Sequence, residues 1–168
     1  MRDMGLTRIE SDVYVNGHLT SKTGSLPAGT VTNAMVNASA AIAATKLQHQ
    51  YIKAYSQEGD TTGANDERIV HVVYGASGTV VAFEAGSAVA NIGNSVITVD
   101  LHNNGASILT ATFDLDSGDA AYALVAGTID TAAVTDGDVL SVVVTATIGT
   151  GTLAKGVFAS LIIREDAV

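Results

Sequence analysis

Hydrophobic and polar positions alternate in short runs through most of the chain after Asp66. Ile69–Tyr74, Thr79–Phe83, Ser95–Leu101, Ser107–Leu115, Tyr122–Ile129, Val139–Thr147 and Val157–Arg164 are rich in β-branched residues, and turn residues separate them. Such runs read as strands. The run at 95–101 places Val96, Thr98 and Asp100 on one face and Ile97, Val99 and Leu101 on the other. Asn103-Asn104-Gly105 predicts a tight hairpin, because Asn and Gly accept the positive φ of a type I′ turn. Seven or eight strands at this spacing predict an antiparallel β-sandwich. No helical period interrupts them, which argues against a parallel α/β sheet.

The first 58 residues follow another pattern. Val13–Thr20 predicts a small strand that turns at Asn16-Gly17, and Leu26-Pro27-Ala28-Gly29-Thr30 is a break. Thr32 or Asn33 can cap a short helix in the alanine-rich span Ala34–Leu47, with Ser39 as a second cap. Met35, Val36, Ile42 and Leu47 do not form one stripe, so an extended arm with a short helix is expected. Val31, Met35, Ile42 and Leu47 are its candidate contacts with a partner or another subunit. Residues 56–67 are polar and glycine-bearing, which reads as a linker or long loop. The resulting division is an arm at 1–58, a linker at 59–65 and a β-sandwich at 66–168.

Charge follows this division. The 168 residues carry 17 acidic and 8 basic side chains, a net of −9. Residues 1–58 hold four acids and five bases, whereas 59–168 hold thirteen acids and three bases, so two parts with different neighbours are expected. The acidic balance argues against nucleic-acid binding, which relies on Lys and Arg contacts to phosphate. No run reaches the ~18 apolar residues of a membrane span, and the opening MRDMGLTRIESDVYV has no secretory apolar region. With no cysteine, thiolate metal sites, thiol nucleophiles and disulfides are excluded. The apolar content of 47% is mostly Ala and Val, which predicts a thin core whose stability comes from a wide sheet area, from oligomerisation, or from both.

Candidate chemistry is sparse. His18, His49, His71 and His102 do not form a zinc-binding pair. Asp114-Leu115-Asp116-Ser117-Gly118-Asp119 opens like a calcium loop, but Val125 stands where the terminal Glu is needed, so turn roles are expected. Thr135-Asp136-Gly137-Asp138 predicts a tight turn into the next strand. Gly149-Thr150-Gly151-Thr152-Leu153-Ala154 matches a loose dinucleotide fingerprint, yet a strand follows where that motif needs a helix. No nucleophile elbow or Ser/His/Asp spacing appears, and no catalytic residue, metal or cofactor is expected.

Two stretches carry a resemblance. Gly29-Thr30-Val31-Thr32-Asn33-Ala34 through Ala41-Ile42-Ala43-Ala44-Thr45-Lys46-Leu47-Gln48-His49 resembles the G-T-V-T-N-A-x-V … A-x-I-A-A-x-K-L-x-H phrase of tailed-bacteriophage structural proteins. Ile97–Leu101, Gly137–Val144 and Lys155–Phe158 resemble small β-sandwich virion domains. Together these stretches resemble phage head decoration, or cement, proteins. The resemblance implies a non-enzymatic protein on the outer surface of the virion, assembled in the host cytoplasm. It would bind the major capsid protein as a homotrimer, without nucleic acid or membrane, and its outer domain would be a jelly-roll sandwich. The alternative is a head-fibre or tail-fibre sandwich that binds host carbohydrate. The absence of Trp counts against that alternative, and the scattered histidines count against a metal-dependent hydrolase.

Overall fold

The structure is a computed structural model, and it describes residues 48–166 except residue 76. The chain divides into two units, Met1–Ala41 and Ile42–Val168, and the described residues belong to the second. The small strand, the short helix and the arm contacts Val31, Met35, Ile42 and Leu47 lie outside the described residues.

Twelve strands follow one another: β1 (His49–Ser56), β2 (Asp66–Val72), β3 (Gly78–Val89), β4 (Ile92–Gly93), β5 (Val96–Asn103), β6 (Ala106–Ser107), β7 (Phe113–Leu115), β8 (Val125–Ala126), β9 (Ala133–Val134), β10 (Val139–Thr147), β11 (Gly151–Thr152) and β12 (Lys155–Glu165). All their pairings are antiparallel. The first sheet has the order β1-β12-β3-β8, with β9 also on β3. The second has the order β2-β10-β5-β6, with β7 also on β5, and β4 pairs with β11 in a small ribbon. The described fold is all-β and β-sandwich-like.

Period-two alternation explains which faces meet. Val157, Ala159, Leu161 and Ile163 of β12 are buried, as are Ile97, Val99 and Leu101 of β5 and Leu140, Val142 and Val144 of β10. These residues join one apolar cluster with Val80, Phe83 and Ala85 of β3. The Phe83 and Phe113 rings meet edge-on across the sheets at 5.8 Å. Val80 and Phe83 are both buried although they stand an odd number of residues apart, because a bulge at Val81 shifts the β3–β12 register.

Among the described residues, ten of the twenty buried apolar residues are Ala or Val, and eight are Leu or Ile.

The proposed boundaries need correction. His49–Ser56, assigned to the arm, forms β1 and pairs with β12 along its whole length. Residues 57–65 connect two strands of the sandwich rather than two domains. Gln57 N–H donates to Val157 C=O at 2.8 Å, and Gly63 N–H donates to Ala154 C=O at 2.7 Å. A Cβ at Gly63 would lie 2.7 Å from Ile97 Cδ1, which explains the glycine in this connection.

Two further expectations meet the backbone differently. The Asn104-Gly105 turn has φ of 52° and 82°, as a type I′ hairpin requires. The return run from Ser107 to Leu115 breaks, because consecutive Ile108 and Leu109 are both buried and a flat strand cannot face both inward. Ser107 Oγ accepts from Leu109 N–H at 3.3 Å at this corner.

Loops at one end are tied by Asn91, which is 3% exposed. Its amide donates to Leu115 C=O, and its Oδ1 accepts from Ala154 N–H, both at 2.8 Å. Elsewhere Asp138 accepts from the Asn103 and Asn104 amides and from Thr135 N–H, and these bonds hold its carboxyl below the ordinary carboxylate range. Asn91→Ala leaves two backbone groups without that buried partner. We expect it to cost about 2–3 kcal/mol in urea unfolding; a change below ~0.5 kcal/mol would contradict the role given to Asn91.

Candidate interaction surfaces

The two outward sheet faces differ in chemistry. Register places Ala54, Ser160, Glu84 and Ala126 in one row of the first sheet. Ile52, Ile162 and Ala82 form the next row, and Gln50, Arg164 and Thr79 the one beyond. Glu84 and Arg164 are the only charged residues in these rows. Ile52 is 69% exposed on β1, and Ile69 is 63% exposed on β2.

The outward face of the second sheet mixes polar residues with Val143 and the exposed Ile69. Asp100 is buried there, at 9% exposure. It accepts from Ser107 Oγ at 2.7 Å and Leu101 N–H at 2.8 Å, and its other oxygen lies 3.0 Å from His102 Nε2. In the next rows Ser141 donates to Glu67 at 3.0 Å, and Thr98 donates to Asp114 at 2.6 Å.

These residue types could suggest a nucleophilic triad, but the arrangement does not supply one. Both serine hydroxyls donate to carboxylates, Ser107 to Asp100 and Ser141 to Glu67. Activation instead requires a serine proton directed at the imidazole. These bonds tie β10 to β2 and β5 to β6.

Between the sheets, β1 and β2 form a mixed aromatic and charged margin. Tyr55 donates to Asp66 at 2.9 Å, and the Arg68 guanidinium lies 5.1 Å from the Tyr55 ring. Burial, followed by donation to Asp66, pushes the Tyr55 phenol up to about 12. The Tyr51 and His71 rings lie 6.2 Å apart, and His71 Nε2 is buried without a hydrogen-bond partner. An open cleft of about 280 Å³ lies beside this margin, lined by Gln57, Asn65, Asp66 and Arg68 among others. Its polar groups already bond one another: the Gln57 amide group joins Tyr55 and Ala64, and Arg68 donates to Ser56 C=O and Asp66.

The remaining candidates occupy separate places. His49, His71 and His102 lie on β1, β2 and β5, and no group of three metal-binding side chains occurs among the described residues. Asp116 and Asp119 accept from Gly118 N–H and Asp116 N–H in a turn, while Asp114 lies on β7 rather than in that turn. The glycine-rich Gly149–Ala154 segment contains β11 and leads into β12. His18 lies outside the described residues. Ile52, which the sequence reading did not single out, carries a signal in the alternation of Gln50, Ile52 and Ala54 with Tyr51, Lys53 and Tyr55.

No family model matches this chain, and no curated protein matches it. Among the described residues, no helix is long and apolar enough to cross a membrane.

His71 connects this margin to pH. Burial lowers its pKa, nearby Lys53 lowers it further, and Glu165 opposes them. The unfolded chain therefore binds more protons just below the ordinary histidine pKa, and stability falls as pH drops through that range. We expect the urea midpoint to fall between pH 7.5 and 5.5, with a smaller fall in His71→Phe. Equal falls in both proteins would contradict this role for His71.

Proposed function

We propose that the chain is a non-enzymatic structural protein of a tailed-phage virion that decorates and stabilises the outer surface of the capsid. In this reading, Val31, Met35, Ile42 and Leu47 contribute contacts to the major capsid protein, and the acidic sandwich faces solvent. The observation that carries it is strand order. Among the eight strands β1, β2, β3, β5, β7, β8, β10 and β12, the orders β1-β12-β3-β8 and β2-β10-β5-β7 interleave as 1-8-3-6 and 2-7-4-5. That interleaving supports a jelly roll, an architecture used by capsid and lectin domains. Fold alone leaves function open. The N-terminal phrase and the charge division favour the capsid role, and the serine hydroxyls bound to carboxylates favour a non-catalytic surface.

A second reading, a head-fibre or tail-fibre carbohydrate binder, draws support from Tyr74 and Tyr122, which are 89% and 73% exposed. Exposed aromatic faces can carry binding contacts, although these two belong to separate loops.

Mixing the full-length protein with heads that lack it distinguishes these readings. We expect saturable co-sedimentation with heads. A variant carrying Val31→Asp, Met35→Asp, Ile42→Asp and Leu47→Asp should lose at least ~10-fold in affinity, equivalent to about 1.4 kcal/mol, while keeping its thermal transition. Absence of head binding, or equal binding by the variant, would contradict the proposal. Glycan-array binding without head binding would favour the second reading.

A further inference from the structure

Among the described residues, the edges of the two five-stranded sheets are unequal. At one edge of the first sheet, β8 and β9 have two residues each; at one edge of the second, β6 and β7 have two and three. The other edge of the second sheet, β2, is bulged near Val70 and carries Asp66, Glu67 and Arg68. Short, bulged and charged edges resist pairing with another chain. By contrast, β1 presents eight residues in regular register, with no proline or bulge. Among the described residues, no strand pairs with its far side.

We propose that β1 is a self-association edge that pairs antiparallel with β1 of a second copy across a two-fold axis at Ile52. Three features of the strand select this occupant and register. First, β1 has no acidic residue, whereas residues 48–166 hold fourteen acidic and four basic side chains. Two such domains approach here with little of the repulsion that their other surfaces create.

Second, length favours a centre near the middle of β1. Centring at Ile52 or Lys53 pairs seven residues from each copy, and moving further along the strand shortens the ladder. Third, the side chains choose between those two registers. Centring at Lys53 sets like charges directly opposite each other, which destabilises a strand pair. Centring at Ile52 sets Ile52 opposite itself on the outer face and Tyr51 opposite Lys53 twice on the inner face. Lys53 Nζ already lies 5.5 Å from the Tyr51 ring within one chain, so the pairing repeats a contact made by these side chains. The Ile52–Ile162 row then continues across the axis, burying Ile52 without another charged group in that row.

An isologous contact closes after two copies, rather than the three implied by the phage resemblance. The inference concerns the sandwich alone and is independent of capsid binding.

The cysteine-free sequence permits a direct test in the full chain. Ile52→Cys places two thiols in opposed strand positions, about 4.5–5.5 Å apart at Cα. Ala54→Cys, on the same outer face, places its symmetry mate about 14 Å away along the strands. Disulfide geometry reaches only the first pair. Circular dichroism verifies that both variants are folded. Under mild oxidation, Ile52→Cys should form a covalent dimer at least ~10-fold faster than Ala54→Cys. Light scattering of the unmodified protein at about 100 μM should give twice 17.0 kDa. Equal cross-linking rates, no preferential Ile52→Cys cross-linking, or the mass of one or three chains would overturn the proposal.

Discussion

The fold depends on the insertion of β12 between β1 and β3. This eleven-residue strand has a neighbour on each side, while its alternate residues Val157, Ala159, Leu161 and Ile163 supply the middle of the core. A strand in that position satisfies backbone groups on two ladders and buries one apolar face, so pairing and hydrophobic burial reinforce each other. In the second sheet, β10 lies between β2 and β5 in the same manner. Both arrangements require contacts distant in sequence, which places the organising step late in the chain and makes loop closure part of folding.

This pairing also sets the chemistry of the surface. Once β12 occupies the middle, β1 becomes an edge and its alternate residues divide between the core margin and the outer face. Lys53 and Tyr51 turn toward that margin, while Ile52 turns outward. On the second sheet, the placement of β5 beside β10 brings Ser141 opposite His102 and Val143 opposite Asp100. The hydroxyls bond carboxylates, Ser141 to Glu67 on β2 and Ser107 to Asp100 on β5.

Local signals in the sequence identify the elements whose interactions are simple. Val139–Thr147 has the same limits in sequence and structure, and the Asn104-Gly105 turn follows directly from backbone preference. β1 was hidden because His49, Tyr51, Lys53 and Tyr55 point toward a mixed margin, so its inward positions do not read as an apolar face. The bulge at Val81 interrupts alternation in β3, and the corner at Ile108–Leu109 interrupts the return strand. The proposed arm contacts lie outside the described residues, whereas the candidate edge at Ile52 depends on long-range strand order. A local sequence pattern does not specify which strand will be last in a sheet.

The most direct test of this architecture is residue-resolved amide hydrogen exchange in the intact chain. The β1 amides directed toward β12 should be protected alongside those in the β3–β12 ladder, because their ladder belongs to the same sheet. Strong protection of β12 and β3, with all eight β1 residues exchanging as rapidly as unprotected amides, would contradict the integration of β1 into the sandwich.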